Sequence, residues 1–261
     1  MAPTLTETQC TTIASPSRIE GIDYTINPYF GCAHGCRYCY VRNMPLSRRH
    51  QGEWGTYVCP KVNAPEVLRR ELPRMKAGLV SFSTVTDPYQ PAERQYGLTR
   101  RLMRMVLEEG FAVSVLSKSP LVTRDLDLMA DGDDVRVGTS IVTLDDTVRK
   151  VFEPGAPPVG ERIGALEQLA EAGIYTWVFV APTLPYITEE TIVPLLRTLG
   201  DAGVKHVTMD RFNPKPLIRG PVWQALEELR PGLSALWRRL PDDAYEAVER
   251  AVEEYPVLAT A

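Results

Sequence analysis

At 261 residues, with 44% hydrophobic and 24% charged residues, the chain has an ordinary globular composition and enough length for one large domain or two small ones. No apolar run approaches the ~20 residues of a membrane span, and a formal charge of -4 provides no overall basic field to gather nucleic acid. Five cysteines, an odd number, in a chain without a secretory signal argue against a disulfide framework and for a cytoplasmic protein.

Residues 1–18 are rich in Thr, Ser and Pro and read as an N-terminal arm, extended or flexible. A first strand is expected at Tyr24–Phe30, and directly after it come Cys32, Cys36 and Cys39 in the run Gly31-Cys-Ala-His-Gly-Cys-Arg-Tyr-Cys-Tyr40. On a helix these thiols would share one apolar face, but Pro28, Gly31 and Gly35 oppose a helix there. Zinc would need a fourth ligand from His34, Cys10 or Cys59, and no second Cys-x2-Cys supplies it. A cubane iron–sulfur cluster takes one thiolate per iron, so three thiolates would hold it and leave one iron open. Cys59, before Pro60, reads as an ordinary partly buried thiol, and Cys10 as uninvolved.

Beyond the cysteines, a helix is expected at Ala64–Lys76 and a strand at Leu79–Val85. Three segments then run from helix through Gly into strand: Leu102–Glu109, Gly110, Phe111–Leu116; Ala165–Ala172, Gly173, Ile174–Val180; and Ile192–Ala202, Gly203, Val204–Met209. Gly at the position after a helix takes the left-handed conformation that ends it, and an apolar, β-branched run reads as a strand buried on both faces. With a helix after Pro120, a strand at Val135–Val142 and a helix beginning at Val159, the chain holds six βα units, which implies parallel strands joined by right-handed crossovers. Both a doubly wound sheet and a barrel satisfy that pattern. Short amphipathic helices at Val222–Leu229, Gly232–Arg239 and Asp242–Glu254 form a C-terminal extension, 221–261, expected to pack on the main unit, 19–220.

Polar residues recur at the strand ends: Ser83 to Asp87, Ser117 to Ser119, Thr139-Ser140, Pro182-Thr183 and Asp210-Arg211. Each alone is more often a helix cap than a ligand contact. Together they mark the C-terminal rim, where barrels of parallel strands place their chemistry.

Cys-x3-Cys-x2-Cys with an aromatic before the last Cys resembles the signature of the radical S-adenosylmethionine (SAM) enzymes. The lead-in Asn27-Pro-Tyr-Phe-Gly-Cys, Tyr38 and Tyr40, Thr86-Asp87-Pro88-Tyr89-Gln90-Pro91, Lys118, Arg124-Asp125-Leu126, Ser140 and Glu153-Pro154 resemble the spore photoproduct lyase-like branch from about Ile19 to Gly220. The resemblance implies a partial (β/α)6 TIM-type barrel and one 4Fe-4S cluster on Cys32, Cys36 and Cys39. It also implies SAM bound through Lys118 and Ser140, with Tyr38 against the adenine and the backbone near Ala181 on its edge. Tyr40, Thr84 and Asp87 take the catalytic positions, Asp87 as a partner for a cationic or hydroxyl group.

By the same resemblance, a reduced flavodoxin or ferredoxin supplies an electron, SAM is cleaved to a 5′-deoxyadenosyl radical, and that radical takes hydrogen from an unidentified substrate. The lyase carries a hydrogen-donating Cys where this chain has Thr84, and a threonine O–H is a far poorer donor. DNA photoproduct repair and a non-catalytic iron–sulfur electron carrier are the alternatives, nucleic acid is a possible but not a favoured partner, and the chain is expected to be a monomer.

Overall fold

In a computed structural model, the chain is described over residues 2–50, 52–241 and 243–254; the expected helix start at Asp242 and residues 255–261 of the C-terminal extension lie outside these. Among the described residues the strands are β1 (Thr4–Leu5), β2 (Ala14–Pro16), β3 (Tyr24–Ile26), β4 (Tyr29–Gly31), β5 (Tyr57–Pro60), β6 (Leu79–Phe82), β7 (Ala112–Leu116), β8 (Val135–Ser140), β9 (Tyr175–Thr183) and β10 (His206–Arg211).

The main sheet has the order β10-β9-β8-β7-β6-β3-β2. The pairs from β3 through β10 are all parallel, and β2 caps the β3 edge antiparallel. A doubly wound sheet reverses its strand order at a switch point. Here the order climbs in one direction from β3 to β10, so right-handed crossovers carry every connecting helix to the same face. The sheet is therefore a six-stranded partial barrel, as the resemblance implies. The helix–Gly–strand junctions appear as expected, with Gly110, Gly173 and Gly203 at φ 75°, 81° and 77°. Val80, Phe82, Val113, Val115, Val137, Val178 and Val180 are buried on the strands. The helices Leu98–Glu108, Val159–Glu171 and Thr188–Asp201 pack over them.

Two expectations are corrected. The strand expected at Tyr24–Phe30 is broken: β3 ends at Ile26, and β4 leaves for a second sheet ordered β1-β5-β4. Pro28 offers no N–H to a ladder, and Asn27 turns its side chain to accept the amides of Thr84 and Val85, both at 3.0 Å. The cysteine loop thus follows β4 rather than the first barrel strand. Cys59, read as a partly buried thiol, is a buried residue of β5, paired with Phe30.

The N-terminal arm runs extended: β1 pairs in parallel with β5, and the Cys10 amide donates to Asn63 Oδ1 at 2.8 Å. The C-terminal helices run Pro216–Leu229, Leu233–Trp237 and Glu246–Glu253. Ile218, Val222, Ala225 and Leu226 of the first pack in one cluster with Cys36, Tyr38 and Phe152. The extension therefore supports the cysteine loop from behind.

Candidate functional site

The cysteine loop is held by two other segments. From 86–90, Thr86 donates its hydroxyl to the Gly31 carbonyl at 2.6 Å, while Gln90 accepts the Ala33 amide at 2.9 Å and donates to Gly31 O at 3.3 Å. From 152–155, Phe152 O accepts the Arg37 amide at 2.8 Å, and the Gly155 amide donates to His34 O at 3.0 Å. A Cβ on Gly155 would lie 2.2 Å from the Ala33 carbonyl, too close for any side chain. Gly155→Ala is therefore expected to displace the loop and to lower iron–sulfur loading and melting temperature together. Wild-type loading measured in that variant would show that the loop tolerates the shift.

Cys32, Cys36 and Cys39 are free thiols and line one cavity of about 270 Å³. Burial pushes all three thiol pKa values up; for Cys36 the rise, to about 12, stands although Lys118 opposes it. Metal binding must then displace protons from this loop. Among the described residues no three His, Cys, Asp or Glu side chains are gathered so as to hold a single metal ion. A cubane asks for less, because each thiolate meets its own iron. The cavity also presents Trp54 and His34, whose Nε1 and Nε2 are buried without a protein partner. Three thiols beside unpartnered ring nitrogens fit a sulfide-bearing group better than they fit a closed protein core.

The opposite wall is made by the strand ends, in the place that parallel barrels reserve for chemistry. Thr84 and Asp87 follow β6, Lys118 follows β7, Ser140 ends β8 and Ala181 lies near the C-terminal end of β9; all line the cavity with Tyr38 and Tyr40. The structure thus brings the ten residues expected to hold the cluster, seat SAM or take the catalytic positions to one space.

Several of these residues are also tied to the protein itself. Asp87 finds its partners within the protein: Oδ1 accepts Ser117 Oγ at 2.7 Å and the Tyr89 amide at 2.9 Å, and Oδ2 accepts the Lys118 amide at 2.8 Å and lies 3.3 Å from His34 Nδ1. Burial alone would raise its pKa, but His34, the Lys118 amide and Ser117 outweigh it and bring the carboxyl down to about 2. Asp87 is a joint between the cysteine loop and the β7 end. Tyr40 is half exposed and donates to the Thr84 carbonyl at 2.5 Å.

Tyr38 donates its hydroxyl to Glu153, and its ring stacks on Phe152 at 6.5 Å. Lys118 Nζ lies 5.8 Å from the centre of that ring and 3.9 Å from Glu153 Oε1. Glu153 is fully buried and accepts Arg162 on its other oxygen, and Arg162 in turn donates to the Ser140 carbonyl at 2.9 Å. Burial would raise the Glu153 pKa, but Arg162 and then Lys118 outweigh it and hold it below the usual carboxylate value. Ser117 belongs to the polar rim that the sequence marks, whereas Arg162 carries no mark in the sequence pattern. Arg162 sits on a helix where a charged residue reads as solvated, and only the adjacent Glu153-Pro154 gave a signal.

The family model described as the Radical SAM superfamily matches residues 26–199. An uncharacterized protein of Methanocaldococcus jannaschii is 36% identical over 183 residues, covering 68% of this chain and 69% of that protein. A Radical SAM Nalpha-GlyT isomerase of Pseudomonas phage M6 is 29% identical over 183 residues, covering 69% of this chain and 37% of the phage protein. Among solved structures, spore photoproduct lyase with bound AdoMet and dinucleoside spore photoproduct superposes with a TM-score of 0.68. That match has 18% identity and covers 96% of this chain and 78% of the other, a likeness of fold.

Proposed function

The chain belongs to the Radical SAM superfamily and is an enzyme, and from that premise we propose that Cys32, Cys36 and Cys39 hold its one 4Fe-4S cluster while Tyr38, Lys118, Ser140 and Ala181 seat SAM. The observation that carries this reading is the convergence of three free thiols and the Lys118 ammonium on one cavity. When bound, the cluster and SAM would supply a 5′-deoxyadenosyl radical, generated with an electron from flavodoxin or ferredoxin and able to take hydrogen from an unidentified substrate.

The protein's own part is positioning and exclusion. Lys118 offers an ammonium, charge-assisted toward a carboxylate. The Ser140 hydroxyl, which makes no hydrogen bond among the described residues, offers a donor and acceptor beside it. The Tyr38 ring offers a flat apolar face, and Leu116, Val41, Phe179 and Phe212 line the cavity with carbon, which keeps water from a reactive intermediate. A passive electron carrier would have no use for this arrangement of cation, hydroxyl and aromatic face.

The test is anaerobic. Reconstituted protein under dithionite should release 5′-deoxyadenosine and methionine slowly without substrate. Lys118→Ala should weaken SAM binding by losing a contact worth roughly 1.5–3 kcal/mol, or about ten- to a hundredfold. Unchanged SAM affinity in that variant would remove Lys118 from the site, and protein that loads a cluster but never cleaves SAM would favour the electron carrier.

A further inference from the structure

Tyr38, Lys118 and Ser140 come from the cysteine loop, the β7 end and the β8 end, three segments distant in sequence. All three are tied to one buried ion pair. Glu153 accepts Tyr38 on Oε1, with Lys118 Nζ 3.9 Å from the same oxygen, and its Oε2 accepts Arg162 Nη2. Arg162 also donates from Nη1 to the Ser140 carbonyl at 2.9 Å and from Nε to the Pro157 carbonyl at 3.0 Å.

We propose that Glu153 and Arg162 are positioning residues that fix the SAM-binding groups in register through this shared contact, Glu153 acting on Lys118 and Tyr38 and Arg162 on Ser140. The inference rests on the reading of Lys118 and Ser140 as SAM contacts. A fully buried ion pair adds little stability over an apolar pair of the same volume. Its placement between three segments of one site is what it contributes. The charges also count. One carboxylate set against two cations leaves a single net positive charge, and Lys118, 14% exposed against 1% for the Arg162 side chain, is the member that meets the cavity. Only one side of the ammonium faces Glu153, so it keeps donors for an incoming anion. The pocket is thereby set for one carboxylate at one place.

The experiment is a double-mutant cycle read as equilibrium SAM affinity of the reconstituted full chain, with iron content as the control for loading. Glu153→Asp keeps the charge and shortens the reach, so a role in charge alone would leave affinity unchanged. Positioning predicts a loss of about tenfold. In the Lys118→Ala background the same substitution should cost clearly less, because the part that acts through the ammonium is already lost and only the part through Tyr38 remains. Should Glu153→Asp not fold, Tyr38→Phe serves as the second variant: it removes one donor from the carboxylate and keeps the ring, and the same coupling to Lys118 is expected. Undiminished affinity in the single variants, or losses that simply add in the Lys118→Ala background, would overturn the inference. Wild-type protein that loads its cluster and does not bind SAM would instead strike the proposed function.

Discussion

Single replacement of Cys32, Cys36 or Cys39 by Ala will abolish iron–sulfur incorporation, and Cys10→Ala and Cys59→Ala will retain it. The three thiols line the same cavity, and a cubane held by three thiolates has none to spare. Cys10 lies elsewhere, bonded through its amide and thiol to Asn63. Cys59 is closer, in one apolar cluster with Cys32, but does not line the cavity. Anaerobic reconstitution should give about four irons and four sulfides per wild-type chain, with broad visible absorption that SAM perturbs. Full incorporation in the Cys36→Ala variant would defeat the assignment of the cluster to this loop.

The second large effect is an absence of turnover. With a dinucleoside spore photoproduct, reduced enzyme and SAM, no catalytic restoration of thymine is expected. By the resemblance drawn from the sequence, Thr84 stands where the lyase is expected to carry its hydrogen-donating Cys. Its backbone is fixed, the amide by Asn27 and the carbonyl by Tyr40, and it lines the cavity. The O–H bond of threonine is too strong to quench a carbon radical as a thiol does, and among the described residues no other cysteine outside the cluster loop reaches the cavity. Thr84→Cys would then confer a trace of turnover if the cavity admits the dinucleotide. Multiple turnovers by the unmodified protein would make DNA photoproduct repair the leading function.

The parallel strands and their connecting helices were legible because their determinants are local, whereas the choice of a barrel over a doubly wound sheet rested on the family resemblance. An amphipathic run, a Gly at positive φ and an apolar β-branched run recur in the same order, and each junction forms where the pattern places it. The cysteine spacing was legible for the same reason. What escaped depends on contacts between distant residues. The run Tyr24–Phe30 looks like one strand until Asn27 is seen bonding to Thr84 and Val85. Arg162 looks like helix surface until Glu153 is seen beneath it. Asp87 has the residue type of a ligand group, yet its oxygens are taken by Ser117, His34 and two amides, and no periodicity records that.

The anchoring of the cysteine loop bears on when order is acquired. β4 pairs with β5 at its N-terminal side, Gln90 bridges Gly31 and Ala33, and the backbone at 152–155 meets His34 and Arg37. Fixing a backbone residue costs roughly 1–2 kcal/mol of conformational entropy. For the segment from Cys32 to Cys39 that loss falls on the folding of the polypeptide, where strand pairing and core burial offset it. On the proposed assignment, a cluster would bind thiols whose backbone the protein itself holds, so more of the thiolate–iron bond energy would be retained as affinity.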